Sequence, residues 1–138
     1  MKRWMVITLV MIGLALGAGI QGFADSGADK VRAANLRAAQ DYYKYGLILA
    51  GEGREAEAAQ AFRQALGIRP DWAEVHSLLG SALARAGNFV EAEAELRQAV
   101  TLKPDYAEGW NFLGEFLKER GKETAAQEAF KKAQQYAR

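Results

Sequence analysis

The stretch Ile68-Arg69-Pro70-Asp71-Trp72-Ala73-Glu74 decides the fold, because it returns 34 residues later as Leu102-Lys103-Pro104-Asp105-Tyr106-Ala107-Glu108. Proline cannot continue a helix, so each copy predicts that a helix ends there. The Asp that follows the proline can cap the next helix, and the Glu three residues further on can reach back, in a variant of the capping box. Both junctions therefore predict the end of one helical unit and the start of the next.

The same period of 34 residues runs through the small residues. Four sets share it: Gly46, Gly80 and Gly114; Gly53, Gly87 and Gly121; Ala58, Ala92 and Ala126; Ala65, Ala99 and Ala133. A small residue at one fixed offset marks a place where two backbones approach closely in every unit, which is typical of a repeat array. We expect the first set to lie in mid-helix for close packing and the second to end helices in the left-handed conformation.

Large apolar residues follow the same period with helical spacing inside each unit, which predicts two antiparallel helices per unit. The first unit reads Tyr42-x2-Tyr45-Gly46-x2-Leu49, then Ala58-x3-Phe62, then Pro70, and two further copies follow in register. This pattern resembles the tetratricopeptide repeat, whose signature is W-x2-L-G-x2-Y, A-x3-F and P. His76 stands where the second copy would carry the large aromatic residue.

The resemblance implies an all-α fold, a right-handed α-solenoid of three helix-turn-helix repeats. We place the repeats at residues 39–72, 73–106 and 107–138, with a helical lead-in segment at residues 25–38. Repeat arrays of this kind provide surfaces for holding other polypeptides, and three repeats are about the minimum for a stable array.

Residues 1–24 have the organisation of a secretory signal peptide. Lys2 and Arg3 are followed by an uncharged stretch from Trp4 through Ala24 that ends in small residues, so cleavage after Ala24 is expected. The stretch is also long enough to span a bilayer as a retained anchor. We therefore expect a periplasmic or secreted protein, with a membrane-anchored protein that faces the periplasm as the alternative.

Composition argues against several classes of function. The chain has no cysteine, its formal net charge is +1, and its single histidine, His76, stands at a packing position of the repeat. Neither a nucleophile with its base nor a phosphate-binding glycine loop is recognisable, so we expect no enzymatic activity, no cofactor and no metal site. Nothing in the charge balance favours nucleic acid.

In the tetratricopeptide family, the first helices of the repeats line a concave groove. The resemblance places eight residues there: Tyr43, Leu47, Ser77, Leu78, Ser81, Asn111, Phe112 and Glu115. This surface is apolar to weakly acidic, which suits an unidentified protein or peptide with apolar anchors and a basic residue. Chaperone-binding members hold a terminal carboxylate with Lys, Arg and Asn. The matching positions here are Tyr43, Leu47, Leu78, Glu108 and Phe112, which disfavours that class of partner.

The C-terminal repeat offers a second candidate surface. The chain stops soon after the second helix of the third repeat, and we expect Ala126, Phe130 and Ala133 to lack a following repeat to pack on. An alternative function is therefore that of a structural subunit of an envelope assembly. Such a subunit would form a homo-oligomer, or dock to a larger structure, through this end.

Overall fold

The computed structural model describes the backbone of residues 2–137 and the side chains of residues 26–137. The helices are α1 (Lys2–Gly51), α2 (Glu55–Ile68), α3 (Ala73–Arg85), α4 (Phe89–Leu102), α5 (Ala107–Glu119) and α6 (Glu123–Tyr136). The described residues contain no strand. The chain divides into two compact units, Met1–Leu36 and Arg37–Arg138.

The unit Met1–Leu36 belongs to α1 alone. The signal peptide or anchor expected at residues 1–24 lies outside the side chains that the structure describes. Across residues 26–137, no helix combines the length and the apolar character needed to cross a bilayer.

The unit Arg37–Arg138 is a solenoid of helical hairpins, in which the predicted proline stops are confirmed. Helix α2 ends at Ile68 and α4 ends at Leu102, each two residues before a proline. The backbone N–H of Arg69 donates to the carbonyl of Ala65, and the following residue must leave the helix because proline cannot extend it.

The predicted aspartate caps are wrong. Trp72 is the N-cap residue of α3 and Tyr106 that of α5, and neither helix has a side-chain cap. The N-cap falls one residue beyond the aspartate, on an aromatic residue with extended backbone. The ring of Trp72 packs instead on Tyr43 of α1, with ring centroids 5.0 Å apart. Packing between hairpins therefore sets where α3 begins.

The predicted turn glycines are confirmed. Gly53, Gly87 and Gly121 have φ of +75°, +88° and +76°, and no other described residue has a positive φ. In each turn, the residue after this glycine donates its N–H back to the end of the preceding helix, as Asn88 does to the Leu83 carbonyl at 2.8 Å. A left-handed residue is thus what lets each hairpin reverse within three residues.

The mid-helix glycines lie where the two helices of each hairpin touch, as predicted. A Cβ atom built on Gly46 would lie 2.6 Å from the Phe62 ring, and one on Gly114 would lie 2.6 Å from the Phe130 ring. On Gly80 it would meet Leu96 Cγ at 2.6 Å and the backbone oxygen of Ala92 at 3.0 Å. No side chain fits at these positions, so glycine sets the close approach of the helices.

The core is one continuous apolar cluster that runs through the hairpins. Its largest fully buried apolar side chains are Phe62, Leu49, Leu79, Leu83, Leu96, Leu113, Leu117 and Val75. Alanines fill the space between them, as at Ala58, Ala92 and Ala126, each with no exposed surface. Small residues at these seams allow the helices to pack closely along the whole array.

The last helix differs from the unpacked apolar end that the sequence predicts. Ala126 and Ala133 are buried, and Phe130 is half-buried with its ring against Gly114, so these residues belong to the core of their own hairpin. The exposed side of α6 carries Gln127 and Gln134 instead. The equivalent residues of α2, Ala59 and Leu66, are buried.

Candidate functional site

The first helices of the hairpins carry the predicted groove, and the structure brings three of its residues together. Ser81 of α3 and Phe112 and Glu115 of α5 line one open cleft of about 180 Å³. The remaining lining residues are Ala84, Arg85, Leu96, Phe116 and Glu119. Because Leu96 comes from α4, the cleft is closed below by the second helix of the middle hairpin.

The cleft has an apolar base and a charged rim. Glu115 and Glu119 lie one helical turn apart on α5, and neither forms an ion pair with another side chain of residues 26–137. Arg85, the basic residue on the rim, is ion-paired with Glu55 at 3.4 Å. The two unpaired carboxylates therefore make this cleft attractive to a cation that has apolar neighbours.

The α1 part of the predicted groove is an aromatic contact beside an exposed leucine. Tyr43 is half-buried against the core and stacks on Trp72, and the guanidinium of Arg69 lies 4.2 Å from the Trp72 ring centre. Leu47, one turn further along α1, keeps 39% of its surface exposed. Tyr43 thus has a packing role in the fold, whereas Leu47 is free to meet a partner.

The other three predicted groove residues differ in their exposure to solvent. Leu78 is half-buried against the core and Asn111 is exposed, but Ser77 has no exposed surface. The Tyr106 phenol lies near the Ser77 hydroxyl, although the two groups do not reach hydrogen-bond geometry. A partner on the open face can meet Asn111 directly, whereas Ser77 lies beneath the surface.

Tyr106, the N-cap residue of α5, lies beside the buried Ser77. Burial, followed by the carboxylates of Glu108 and Glu74, raises the pKa of Tyr106 to about 12. The phenol therefore keeps its proton at any physiological pH and remains a hydrogen-bond donor.

Arg85 and Glu119 are two rim residues that the sequence analysis did not include. They occupy equivalent positions, 34 residues apart, and each lies one turn beyond a predicted groove residue, Ser81 or Glu115. Extending the predicted face of α3 and α5 by one helical turn would have found both.

The histidine lies outside the cleft, at the contact between α3 and α4. His76 Nδ1 is 2.6 Å from a carboxylate oxygen of Glu95, and its Nε2 is 2.8 Å from the Pro70 carbonyl oxygen. Burial lowers the pKa of His76, but the hydrogen bonds to Glu95 and Pro70 outweigh it, so the pKa is raised. Both ring nitrogens face acceptors, which favours the imidazolium form.

No group of three or more His, Cys, Asp or Glu side chains within residues 26–137 is arranged to hold a metal ion. The contacts around His76 place it in the packing of a hairpin. The features that remain are the cleft and the array of similar hairpins.

These observations define an α-solenoid of helical hairpins with an open cleft between α3 and α5. Three family models, each described as tetratricopeptide repeat, match residues 49–115, 20–72 and 107–138. The chain belongs to the tetratricopeptide repeat family. No curated protein sequence matches it.

Solved structures of low sequence identity share this fold. The structure of MamA is 21% identical, with a TM-score of 0.67, and the match covers 73% of this chain and 59% of that one. The second tetratricopeptide domain of Spaghetti (RPAP3), bound to the HSP90 peptide SRMEEVD, is 19% identical over 78% of this chain and 98% of that one, with a TM-score of 0.70. The tetratricopeptide domain of Arabidopsis OM64 is 14% identical over 75% of this chain and 85% of that one, with a TM-score of 0.71.

Proposed function

We propose that this chain is a protein-interaction module that binds a polypeptide segment along the first helices of its hairpins and has no enzymatic activity. The observation that carries the proposal is the cleft between α3 and α5, which brings Ser81, Phe112 and Glu115 together. The Spaghetti structure supports it by analogy, because that domain of similar fold is bound to a peptide.

The proposed ligand is a segment with an apolar anchor next to a Lys or Arg. The apolar anchor would cover Phe112 and Phe116, and burial of apolar surface stabilises such a contact by roughly 25 cal/mol per Å². The basic side chain would pair with Glu115 and Glu119 on the rim, where each carboxylate can accept charge-assisted hydrogen bonds.

An acidic peptide such as SRMEEVD is a poor fit for this cleft. Glu115 and Glu119 would repel its carboxylates, and the basic residue of the rim, Arg85, already pairs with Glu55. Leu47 and Asn111 are exposed and belong to the proposed surface. The proposed ligand is therefore opposite in charge to the peptide that is bound to the Spaghetti domain.

Selection from a random peptide library on the immobilised full chain tests this proposal. We expect the enriched peptides to carry Lys or Arg beside apolar residues, and the variant Glu115→Lys with Glu119→Lys to lose them. Glu128→Lys is the matched control, because Glu128 is an exposed acidic residue of α6 and does not line the cleft.

Two results would contradict the proposal. One is enrichment of acidic peptides, and the other is binding that survives the double substitution in the cleft. Circular dichroism should show equal helicity in all variants, because the three glutamates are exposed.

We further propose that the chain is exported, to the periplasm or the outside of the cell, or held at the membrane facing the periplasm. The basic start and the uncharged stretch from Trp4 to Ala24 support this. The mass of the protein recovered from cells distinguishes a cleaved signal from a retained anchor.

A further inference from the structure

Helix α1 carries an exposed face that has buried counterparts in the later hairpins. Tyr45 is 52% exposed and Ile48 is 59% exposed. The residues at the same positions of α3, Leu79 and Ala82, are each 2% exposed, because α3 lies against both α2 and α4. Among the described residues, nothing covers this face of α1 in a similar way.

The exposed face also carries charge, which excludes a simple continuation of the repeat series. Asp41 is exposed at the position of the fully buried Val75, and Lys44 is exposed three residues after Asp41. A further hairpin packed as α2 packs on α3 would bury Asp41, at the position of Val75, without a partner, and would half-bury Lys44, at the position of Leu78, at a considerable cost. The molecule that covers this face must supply a cation for Asp41, an anion for Lys44 and an apolar surface for Ile48.

We propose that α1 pairs with α1 of a second copy in antiparallel orientation, about a two-fold axis near residue 43. Ala38, Asp41, Tyr45 and Ile48 lie on one side of the helix, by their spacing. In this register, Asp41 lies opposite Tyr45 of the partner and next to the partner's Lys44. The large Ile48 lies over the small Ala38, and each of these contacts occurs twice.

Charge selects this orientation. A parallel pair would place Asp41 beside Asp41 and Lys44 beside Lys44, whereas the antiparallel pair matches each with its opposite. An isologous contact of this kind is self-complementary and closes after two copies. Residues 38–48 span only about 15 Å of helix, so the interface is small and the dimer is expected to be reversible.

The test is sedimentation of the full chain over a range of concentrations, with a cycle of charge reversals. We expect Asp41→Lys alone and Lys44→Asp alone each to raise the dissociation constant roughly tenfold, through repulsion in two equivalent pairs. The double variant should restore dimerisation, because the opposite charges meet again. Ile48→Glu should abolish it, and Val90→Glu, at a site that is 88% exposed, should leave it unchanged.

Cross-linking tests the orientation of the two helices. Because the chain has no cysteine, an introduced cysteine is the only thiol that can react. A short bis-maleimide should link a mixture of Ala38→Cys and Ile48→Cys chains, and should link neither variant alone. A chain that stays monomeric at all concentrations would overturn the proposal. So would a dimer that resists Ile48→Glu, a double reversal that fails to rescue, or cross-linking of Ala38→Cys with itself.

Discussion

His76 and Trp110 occupy equivalent positions in successive hairpins and make the same contact. Trp110 Nε1 donates to the Pro104 carbonyl at 2.8 Å, and His76 Nε2 lies 2.8 Å from the Pro70 carbonyl. The difference is on the other side of the ring, where His76 also meets Glu95. In the last hairpin, Ala129 stands at the position of Glu95. The middle hairpin thus contains a titratable pair that the last one lacks.

The first prediction concerns the pH dependence of stability. The pKa of His76 is raised in the folded protein, so its protonation favours the folded state. This contribution is fully present below the ordinary pKa of 6.5 and is lost as the pH rises through the higher folded pKa. Urea unfolding should therefore show a fall in stability, beginning above pH 6.5, that depends on His76.

The control for this prediction is a double variant that gives the middle hairpin the residues of the last hairpin at these two positions. His76→Trp with Glu95→Ala reproduces the Trp110 and Ala129 pair and keeps a donor for the Pro70 carbonyl. This variant should lack the fall in stability that begins above pH 6.5. A fall equal to that of the unchanged chain would assign it to other groups.

The second prediction concerns the close contact between helices α3 and α4 at Gly80. Gly80→Ala should lower the free energy of unfolding by about 2 kcal/mol, because overpacking a dense core is destabilising. The new methyl group would meet Leu96 and the backbone of Ala92, which has little room to shift. Gly67→Ala is the control, since nothing lies within 4 Å of its added Cβ, and it should stabilise by about 0.5 kcal/mol. Similar melting temperatures for the two variants would refute this account of Gly80.

The third prediction concerns the turn between α3 and α4. Gly87→Ala should cost about 1 to 2 kcal/mol, since an L-residue is strained at φ of +88°. Gly51→Ala has equally open surroundings and no positive φ, so thermal unfolding should show no loss of stability there. Equal losses at both sites would mean that conformation is not the cause.

The fourth prediction separates packing from binding on α1. Tyr43→Ala should lower the free energy of unfolding by about 2 kcal/mol, because it removes the stacking on Trp72 and opens the core. Leu47→Ala should change it by less than about 0.5 kcal/mol, because that side chain is exposed. A Tyr43→Ala variant as stable as the unchanged chain would show that the stacking contributes little.

The sequence predicted the parts of the fold that recur with the period. Gly80 at a helix contact and Gly87 in a turn each have one backbone role, and the same role appears in the other hairpins. Asp71 misled the prediction because cap position depends on how Trp72 packs against a neighbouring hairpin, which local sequence does not encode.

The candidate site was less predictable, because exposure depends on contacts between hairpins. Ser77 and Asn111 share a position in the repeat, yet one is buried and the other exposed, since Tyr106 lies near Ser77 alone. The Glu95 contact of His76 could not be foreseen either, because it joins residues 19 positions apart and does not recur. A periodic pattern reports what the hairpins share and omits what distinguishes them.

An exposed glutamine of α6, Gln134, affects how gene duplication could add hairpins to this array. Duplication of the segment for residues 73–106 would keep the middle hairpin's contacts with both neighbours and add one new contact, between the two copies. A copy added after α6 would instead bury the amide of Gln134, which stands at the position of the buried Val100 and Leu66. Lengthening by internal duplication therefore keeps the existing contacts, whereas lengthening after α6 calls for an apolar residue in place of Gln134.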